Sequence, residues 1–444
     1  MTYQDSSLSF KHRLRRVHPR RGALRRTLAT LDRADAATIR AFQEQRLRKL
    51  VGIAAARSPF YREWFRDHGI DPSSIRTLAD LPRLPLISRA DLVGRADRFR
   101  TRPRRLMWPA MSSGSSGRPV QVYRTMTSSV LELTALERQW SWFGVPADSR
   151  RVVLRGNGFA SGGADRPTLL LPGAGQLLVS SFYLTPERID AIIEDIQRFD
   201  PHAIEGWPSS IALLAALLRD RGVKIPVRAI ITSSEMMTPG QQALMREVYT
   251  APIVDHYGQT ERVALAGTCE EGGYHAFPDY GIVELVPLEG CEDRWEIVGT
   301  PLHNTGFPLF RYRTGDEVRP PEPGRNCPCG RAFPLLGTVD GRVDDIFTSA
   351  DGRPLPLGST VLDDLTGLRE AQIAQRAPGV FEVRFVPGDG FSEHECAAEV
   401  RAAVTRLFGP GQRVDIRVVD SLPRSPSGKL KSAVVESGDV ITLE

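Results

Sequence analysis

The sequence predicts an α/β protein in which a large N-terminal domain is followed by a small C-terminal α+β domain, and three observations support this. The chain has 444 residues, more than one hydrophobic core usually supports, so at least two domains are expected. Helix and strand patterns alternate between residues 186 and 254, as they do in α/β domains. A strand, a helix and a strand then form a separate pattern after residue 341. We place the domains at residues 1–340 and 345–444, with a hinge near 341–345.

Proline and serine punctuate the elements expected in the first 160 residues. Apolar residues recur at helical spacing from Asp35 to about Arg66, with a break at Ser58-Pro59. A short helix is expected to begin after Ser88, which suits an N-cap. Residues 121–123 and 152–154 predict strands.

The rest of the chain gives clearer patterns. A loop rich in Pro and Gly is expected at residues 319–325. The apolar periodicity predicts helices at residues 186–199, 210–221, 239–248 and 392–408, and strands at residues 229–232, 252–254, 281–286, 294–298, 380–386 and 414–419.

Composition excludes several classes of protein. Hydrophobic residues make up 41% and charged residues 25% of the chain, as in ordinary globular proteins. No apolar run approaches the roughly 18–20 residues of a membrane span, and no signal-peptide core follows the N-terminal charges, so we expect a cytoplasmic protein. Five cysteines in so long a chain do not indicate a disulfide scaffold.

Basic side chains crowd residues 11–26, although the net charge is only +5. They suit either a contact with a phosphate-rich or acidic partner or a solvated, partly disordered arm, and we favour the arm. No aromatic residues alternate with these charges, so we expect no nucleic-acid partner. The basic residues of this stretch are Lys11, Arg13, Arg15, Arg16, Arg20, Arg21, Arg25 and Arg26.

A Ser/Gly-rich segment between Trp108 and the expected strand at residues 121–123 is a candidate phosphate loop. Glycines let backbone N–H groups point at a phosphate, and hydroxyls add hydrogen-bond donors. A flexible linker or a cloning remnant is the alternative, although the segment lies deep in the chain. The segment consists of Ser112, Ser113, Gly114, Ser115, Ser116, Gly117 and Arg118, followed by Pro119.

Three further motifs carry polar residues at predicted turns. Residues 255–261 follow an expected strand, where ligands of α/β sheets bind, and include an aromatic ring, a glycine and a carboxylate. Asp316 follows Gly315 and could accept hydrogen bonds from a ribose. Residues 340–345 lie at the expected domain boundary. Each could equally be a plain turn or, in the last case, a hairpin.

Lysine occurs at five positions only, and two of these fall in residues 423–431. That segment has Pro, Ser and Gly around Lys429, and it could carry one long cation into a cleft. The alternative is a frayed polar tail. Because arginine supplies most basic surface positions here, a lysine inside a motif favours a functional role.

Together, and in this order, these motifs resemble those of the adenylate-forming superfamily, and within it the phenylacetate–CoA ligase family, more closely its capsule-biosynthesis-type branch. Residues 54–62, 205–210 and 232–235 also match patterns of that family. The resemblance covers residues 40–431. It implies an α/β N-terminal domain, a mobile C-terminal lid, and activation of a carboxylic acid by ATP before transfer to a thiol.

The resemblance implies an ATP site. The phosphate loop would hold the β- and γ-phosphates, Tyr257 would stack on adenine, and Asp316 would bind the ribose with Arg342 close by. Beyond the phosphate loop with Arg118, the implied ATP-binding residues are Ser234, Glu235, Asp255, His256, Tyr257, Gly258, Gln259, Asp316 and Arg342.

The catalytic residues implied are Lys429, Glu261 and Thr260. Lys429 would reach the acyl carboxylate and the α-phosphate, Thr260 would approach the α-phosphate, and Glu261 would bind Mg²⁺. Asp344 occupies the position of the family's hinge residue. The family's phosphate loop usually continues with Lys-Pro, whereas this chain has Arg118-Pro119, which keeps the charge with a different side chain.

The resemblance also indicates the class of acid and the acceptor of the acyl group. By resemblance the acyl pocket comprises Phe182, Tyr183, Trp207, Tyr257 and Gly258, which favours an aryl or aryl-alkyl acid, and the sequence places no evident cation to fix a second carboxylate. Coenzyme A is the favoured acceptor; a carrier-protein phosphopantetheine or an amine would need the same first step. A non-catalytic nucleotide-binding homologue is the alternative of another class. The family's dimers leave a homodimer open by analogy.

Four further residues suit a metal ion. Cys269, His275, Cys327 and Cys329 offer three thiols and one imidazole, a set that binds structural Zn²⁺. Their spacing is not that of a standard zinc finger, and small cysteines packed in turns are the alternative. The resemblance to the capsule-type branch adds weight to zinc, so we expect a structural Zn²⁺.

Overall fold

A computed structural model of the protein describes residues 14–111, 120–155, 167–237, 239–288, 293–321, 324–337, 339–342, 347–350, 354–355, 361–362, 365, 367–388, 390–424 and 430–436. Its helices are α1 Arg21–Leu31, α2 Ala36–Arg57, α3 Pro59–Asp67, α4 Arg89–Leu92, α5 Ala96–Phe99, α6 Met126–Trp142, α7 Ile189–Phe199, α8 Pro208–Asp220, α9 Pro239–Tyr249 and α10 Glu393–Phe408.

The strands run through most of the chain. They are β1 Trp108–Met111, β2 Gln121–Arg124, β3 Arg151–Arg155, β4 Thr168–Leu171, β5 Gln176–Ser180, β6 Ala203–Gly206, β7 Ala229–Ser233, β8 Ile253–Gly258, β9 Leu265–Thr268, β10 Tyr274–Ala276, β11 Gly281–Pro287, β12 Trp295–Pro301, β13 Tyr312–Val318, β14 Val339–Arg342, β15 Phe347–Thr348, β16 Pro354–Leu355, β17 Leu368–Ala377, β18 Val380–Pro387, β19 Arg413–Val418 and β20 Ala433–Val435.

Local sequence explains where the N-terminal helices begin and end. Helix α2 starts after Asp35, whose carboxylate accepts a hydrogen bond from the Thr38 N–H at 2.8 Å. Helix α3 starts at Pro59 with the Ser58 hydroxyl as its cap, so the Ser-Pro pair separates the two helices as predicted. Ser88 is the N-cap of α4, which confirms that prediction as well.

The chain forms two compact units, one of residues 6–148 and 254–340, the other of residues 1–5, 149–253 and 341–444. We call them unit 2 and unit 1. Unit 2 contains the β1–β2 hairpin, the antiparallel strands β8–β9–β10 and the sheet β11–β12–β13–β14. Its core packs α2 and α3 against aromatic side chains, and Tyr61 of α3 contacts Phe99 and Phe310.

Unit 1 contains a mostly parallel sheet. Strands β5, β3, β6 and β7 are parallel neighbours in that order, and β4 pairs antiparallel with β5. Isoleucine and leucine side chains of α7 and α8 pack with the sheet in one buried cluster, which is why these helices show apolar stripes. The alternation predicted from residues 186–254 therefore forms an α/β layer, as expected.

The C-terminal part of unit 1 has its own sheet and core. Strands lie in the order β19–β18–β17–β20, and α10 packs Val400 and Phe408 with Phe381 and Phe385 of β18. The predicted helix and both strands here are confirmed, and β17 was not predicted. This C-terminal segment of unit 1 begins at Gly341, where the sequence predicts a domain boundary. The division into domains of residues 1–340 and 345–444 stays a prediction.

Two predicted turns are strands instead. Residues 255–258 are the last part of β8, because His256, Tyr257 and Gly258 pair antiparallel with β9. Residues 312–316 lie in β13, with a register shift opposite Glu296 and Val298. Asp340 to Arg342 likewise belong to strand β14 rather than to a hairpin turn.

Part of the basic N-terminal stretch is folded, while Lys11 and Arg13 lie outside the described residues. From Arg21 onward it forms α1, and the Arg21 guanidinium binds the buried Glu137 carboxylate of α6 at 2.8 Å. The expectation of a solvated arm is therefore wrong for Arg21, while Arg20, Arg25 and Arg26 are exposed. Within the described residues, no helix is both long and apolar enough to cross a membrane.

Candidate active site

Two carboxylates of the predicted site are held by tyrosine hydroxyls in unit 2. The Tyr257 hydroxyl donates to Asp316 Oδ2 at 2.6 Å, and the Gln259 amide donates to the same hydroxyl oxygen at 3.2 Å. Burial raises the pKa of Tyr257 well above its ordinary value, with the Asp316 charge acting in the same direction. Tyr257 therefore stays protonated and keeps the Asp316 carboxylate as a fixed acceptor.

Strand β13 places Asp316 through a local distortion. Gly315 has φ of 71°, in the left-handed region, so a side chain at this position would strain the backbone. The Thr314 hydroxyl donates to the Ile297 carbonyl at 2.7 Å and accepts from the Asp316 N–H at 3.0 Å. The Gly-Asp pair recognised in the sequence is thus a bulge that orients the carboxylate.

Glu261 and Thr260 follow β8 and are fixed from two sides. The Tyr312 hydroxyl, at the start of β13, donates to Glu261 Oε1 at 3.1 Å, and Glu261 is 8% exposed. The Arg124 guanidinium at the end of β2 donates to the Thr260 carbonyl at 2.6 Å. A carboxylate so placed suits Mg²⁺, which takes oxygen ligands.

The remaining residues of β8 are held by their neighbours in the same unit. The Tyr274 hydroxyl donates to Asp255 Oδ2 at 3.0 Å, and the Gln139 amide donates to the Asp255 carbonyl at 2.8 Å. Gly258 lies opposite Leu265, and a Cβ on Gly258 would be 3.4 Å from that side chain. His256 lies between Asp255 and Tyr257 in the strand.

Unit 1 carries the other predicted pocket residues. Ser234 has φ of 69°, and Glu235 Oε2 accepts from the Ser209 N–H at 3.1 Å, at the first turn of α8. The carboxylate therefore satisfies a free N–H of that helix end. Trp207 precedes the same helix, and the Tyr183 ring lies 4.7 Å from the Arg188 guanidinium carbon.

Several predicted residues lie outside the described part of the chain. They are the phosphate-loop residues Ser112 to Arg118, the hinge residue Asp344, the catalytic Lys429 and the side chains of Phe182 and Arg342. The segment with Lys429 is bounded by a β-bridge between Arg424 and Leu430. Arg424 also pairs with the buried Glu370 of β17, where burial raises the carboxyl pKa.

Sequence reasoning missed a charged cluster next to Thr260 and Glu261. Arg262 Nε lies 3.3 Å from Glu132 Oε1, and the Tyr280 hydroxyl donates to the other Glu132 oxygen. The His303 ring packs on Tyr280 with centroids 4.2 Å apart, and burial lowers the His303 pKa to about 4. No motif marks these residues, and in a chain rich in arginine neither Arg124 nor Arg262 stands out. The one indication of this cluster in the sequence is that Arg262 directly follows Glu261.

The four predicted metal ligands converge in unit 2. Their ligand atoms all lie within 4.8 Å of one another, with Cys269 Sγ 3.5 Å from Cys327 Sγ and Cys329 Sγ 3.4 Å from His275 Nε2. Two sulfurs on a tetrahedral Zn²⁺ are about 3.8 Å apart, so the set has the right size. His275 Nδ1 lies 2.9 Å from the Phe333 carbonyl, which leaves Nε2 for a metal.

Three further features fit a metal bound by these four residues. A Cβ on Gly273 would come within 2.6 Å of Cys327 Sγ and 2.9 Å of His275 Nε2, so only glycine lets the ligands approach. Burial lowers the pKa of His275, which keeps the ring neutral as a ligand must be. Arg331 packs its guanidinium carbon 3.9 Å from the Trp142 ring centre and binds both oxygens of Glu270.

Comparisons with known proteins agree with this geometry. A phenylacetate–coenzyme A ligase of Thermus thermophilus is 26% identical over 430 residues, which cover 88% of this chain and 95% of that protein. The CapK protein of Staphylococcus aureus is 20% identical over 402 residues, 88% of each chain. No family model matches the chain.

A solved structure shares the fold. The crystal structure of 2-hydroxyisobutyryl-CoA ligase in the postadenylation state, in complex with R3-HIB-AMP, superposes with a TM-score of 0.71 at 20% identity, covering 94% of this chain and 91% of that one. The predicted fold class is therefore confirmed. The resemblance to phenylacetate–coenzyme A ligases and CapK that the sequence motifs indicate is thus confirmed over most of the chain, and the fold is that of a solved acyl-CoA ligase.

Proposed function

We propose that the protein is an ATP-dependent acid–thiol ligase that converts a carboxylic acid to its acyl-AMP and transfers the acyl group to coenzyme A. One observation supports this most directly. Strand β13 carries Tyr312, which holds Glu261, and four residues later Asp316, which accepts from Tyr257. Strand β13 therefore contacts or carries both carboxylates, Glu261, which suits Mg²⁺, and Asp316, which suits a ribose, although they are distant in the sequence.

The chemistry needs these groups for a physical reason. A carboxylate must attack the anionic α-phosphorus of ATP, so two negative centres have to be brought together. Glu261 would hold Mg²⁺, which supplies positive charge to the phosphate oxygens. Lys429 would neutralise charge between the acyl carboxylate and the α-phosphate, with Thr260 beside it, and positioning provides most of the remaining rate enhancement.

Two half-reactions follow. The acid oxygen forms a bond to the α-phosphorus and pyrophosphate leaves. A thiolate then attacks the acyl carbon of the acyl-AMP, and AMP leaves with the electron pair of the broken C–O bond. Asp316 would orient the ribose, and Ser234, Glu235, Asp255, His256, Gly258 and Gln259 would surround the base with Tyr257. The phosphate loop at Ser112 to Arg118 and Arg342 complete the proposed ATP site.

Coenzyme A is the proposed acceptor, because the Thermus thermophilus relative is a coenzyme A ligase that matches nearly the whole chain. A carrier-protein phosphopantetheine or an amine is the alternative. The proposed acid is aryl or aryl-alkyl, with Phe182, Tyr183, Trp207, Tyr257 and Gly258 lining its pocket. A nucleotide-binding protein without catalysis would not need Glu261, Asp316 and Lys429 together.

We also propose a structural metal site and a cellular compartment for the enzyme. The cluster of Cys269, His275, Cys327 and Cys329 would hold a structural Zn²⁺, because three thiolates and a neutral imidazole leave no open position for substrate. The cytoplasm is the proposed compartment, since ATP and coenzyme A are its cosubstrates. A homodimer remains an analogy with the family.

Pyrophosphate release tests the proposed function. It is measured with a panel of aryl and alkyl acids, with and without coenzyme A, for the wild type and Lys429→Ala. We expect acid-dependent release that falls by about a hundred-fold or more in the variant, because a charge acting in the transition state is lost. Lys431→Ala is the matched control and should keep activity. Release that does not depend on any acid, or that survives in Lys429→Ala, would refute the proposal.

A further inference from the structure

The charged cluster beside Thr260 and Glu261 has one assigned role so far, which is the contact of Arg124 with Thr260. It comprises Arg124, Arg262, Glu132, Tyr280 and His303, all in unit 2, and we call it the cationic cluster. Arg262 is covalently next to Glu261, and Arg124 donates to the Thr260 carbonyl at 2.6 Å. An occupant of the cluster would therefore lie beside the groups proposed to act on the reacting carboxylate.

The charges of the cationic cluster do not cancel. Glu132 is the acid of the cluster, and it is engaged by Arg262 at 3.3 Å and by the Tyr280 hydroxyl. Among the described residues, Arg124 forms no ion pair, and its buried Nε atom meets no hydrogen-bond acceptor. Arg15 adds further positive potential around Arg124. Glu132 acts on both arginines, so one carboxylate faces two buried guanidinium groups, and the arrangement favours an added anion.

His303 adds an imidazole to the cationic cluster. Neither imidazole nitrogen forms a hydrogen bond of ordinary geometry among the described residues, although the Arg262 backbone lies close to the ring. Its ring packs on Tyr280, which gives the cluster a flat wall. The guanidinium of Arg124 and the N–H of neutral His303 can donate hydrogen bonds to a carboxylate. The packed rings of His303 and Tyr280 can contact a planar group that carries it.

We infer that the cationic cluster binds a second anionic group on the acid that this enzyme activates, so that the substrate is a dicarboxylic acid, aromatic by preference. This inference rests on the proposed function and specifies its substrate class. The sequence alone indicates no cation that could bind a second carboxylate. In the fold, Arg124 at the end of β2 and Arg262 in the turn after β8 both belong to the cationic cluster. A cluster with a purely structural role would affect stability but not the choice of acid.

The test compares acids that differ only in a second carboxylate, namely benzoate with phthalate, isophthalate and terephthalate. Acid-dependent exchange between ATP and pyrophosphate is measured for the wild type and for Arg124→Gln, which removes the charge but keeps a donor for the Thr260 carbonyl. Arg198→Gln is the matched control, because Arg198 is exposed on α7 and pairs with Glu194 and Asp195.

We expect the second carboxylate to raise wild-type kcat/KM by about ten-fold or more, as a hydrogen-bonded charge pair does. In Arg124→Gln the KM of the dicarboxylate should rise by about ten-fold more than the KM of benzoate, because benzoate has no second carboxylate to lose a charged partner. A wild-type preference for benzoate, or an equal effect of the variant on both acids, would overturn the inference. A rise in the KM of ATP instead would assign the cluster to a nucleotide phosphate and also overturn it.

Failure of the proposed function is distinguishable from failure of this inference. If no acid supports exchange, calorimetric titration of the wild type and Arg124→Gln with the three phthalate isomers decides the matter. Binding that disappears in Arg124→Gln would uphold the anion site without the ligase activity. No binding of any isomer to the wild type would overturn the inference.

Discussion

At the scale of single residues, the hydroxyls of Tyr257 and Tyr312 hold the carboxylates of Asp316 and Glu261. Both tyrosines donate, so one oxygen of each carboxylate is fixed in place. An ionised acceptor in a partly buried site makes such hydrogen bonds stronger than neutral ones. The positions of the two charges therefore depend on phenol groups that carry no charge themselves.

Tyr257→Phe should raise the KM for ATP by about ten-fold in pyrophosphate-release assays. The substitution keeps the ring but removes the hydroxyl that fixes Asp316, and a hydrogen bond to a charged group contributes roughly 1.5–3 kcal/mol. The matched control is Tyr249→Phe, because the Tyr249 hydroxyl in unit 1 is buried and meets no partner among the described residues. An unchanged KM for ATP in Tyr257→Phe would show that Asp316 needs no support from this hydroxyl.

The residues proposed for the ATP site could be predicted from the sequence because they match motifs of a known family, as Asp316 does after Gly315. Their supporting residues could not. Tyr312 and Arg124 belong to types that are common in this chain, and only the fold shows that they contact Glu261 and Thr260. Lys429 and the phosphate loop lie outside the described residues, so their roles stay predictions.

At the scale of elements, the sequence located most helices and strands but shortened the strands of the site. The strand expected at residues 252–254 extends to Gly258, because β9 supplies hydrogen-bond partners that local sequence cannot reveal. Gly315 was read as a turn, yet a bulge within β13 uses the same positive φ. Sheet partners decide such cases, and they come from distant parts of the chain.

The β9–β10 hairpin and the Cys327–Cys329 segment lead to a prediction about metal content. The purified protein should contain about one zinc per chain, and Cys327→Ser should lose it and unfold at a lower temperature. Metal analysis and thermal unfolding measure the two effects. Cys396→Ser is the matched control, since Cys396 is buried in α10 away from the cluster and should leave the zinc content unchanged. Wild-type protein that binds no zinc would contradict the assignment.

At the scale of the whole molecule, the chain forms two compact units, and one boundary between them falls at Gly341. Length, composition and the change of pattern after residue 341 were enough to expect more than one compact body. The membership of the units was not predictable, because residues 149–253 group with residues 341–444 through contacts between distant segments. Family resemblance, not periodicity, places the hinge at Asp344.

The substitution Asp344→Pro should slow thioester formation much more than it slows the adenylation step. Proline fixes φ, so a hinge that must rotate between the steps would be restricted. We expect pyrophosphate release to stay within about three-fold of wild type and thioester formation to fall by about ten-fold or more. Asp344→Ala, which leaves the backbone free, should keep both. Equal loss of the two half-reactions in Asp344→Pro would argue against a hinge at this residue.

The packing of Arg331 on Trp142 gives the proposed metal centre an intrinsic optical reporter. Arg331 lies two residues after Cys329, its guanidinium carbon is 3.9 Å from the indole ring centre, and Arg33 donates to the Cys329 carbonyl at 3.1 Å. A cation over an indole shifts the energy of its excited state, so a change in the cysteine segment alters the colour of the light that Trp142 emits. Loading and loss of the metal can then be followed by tryptophan fluorescence, without any added dye.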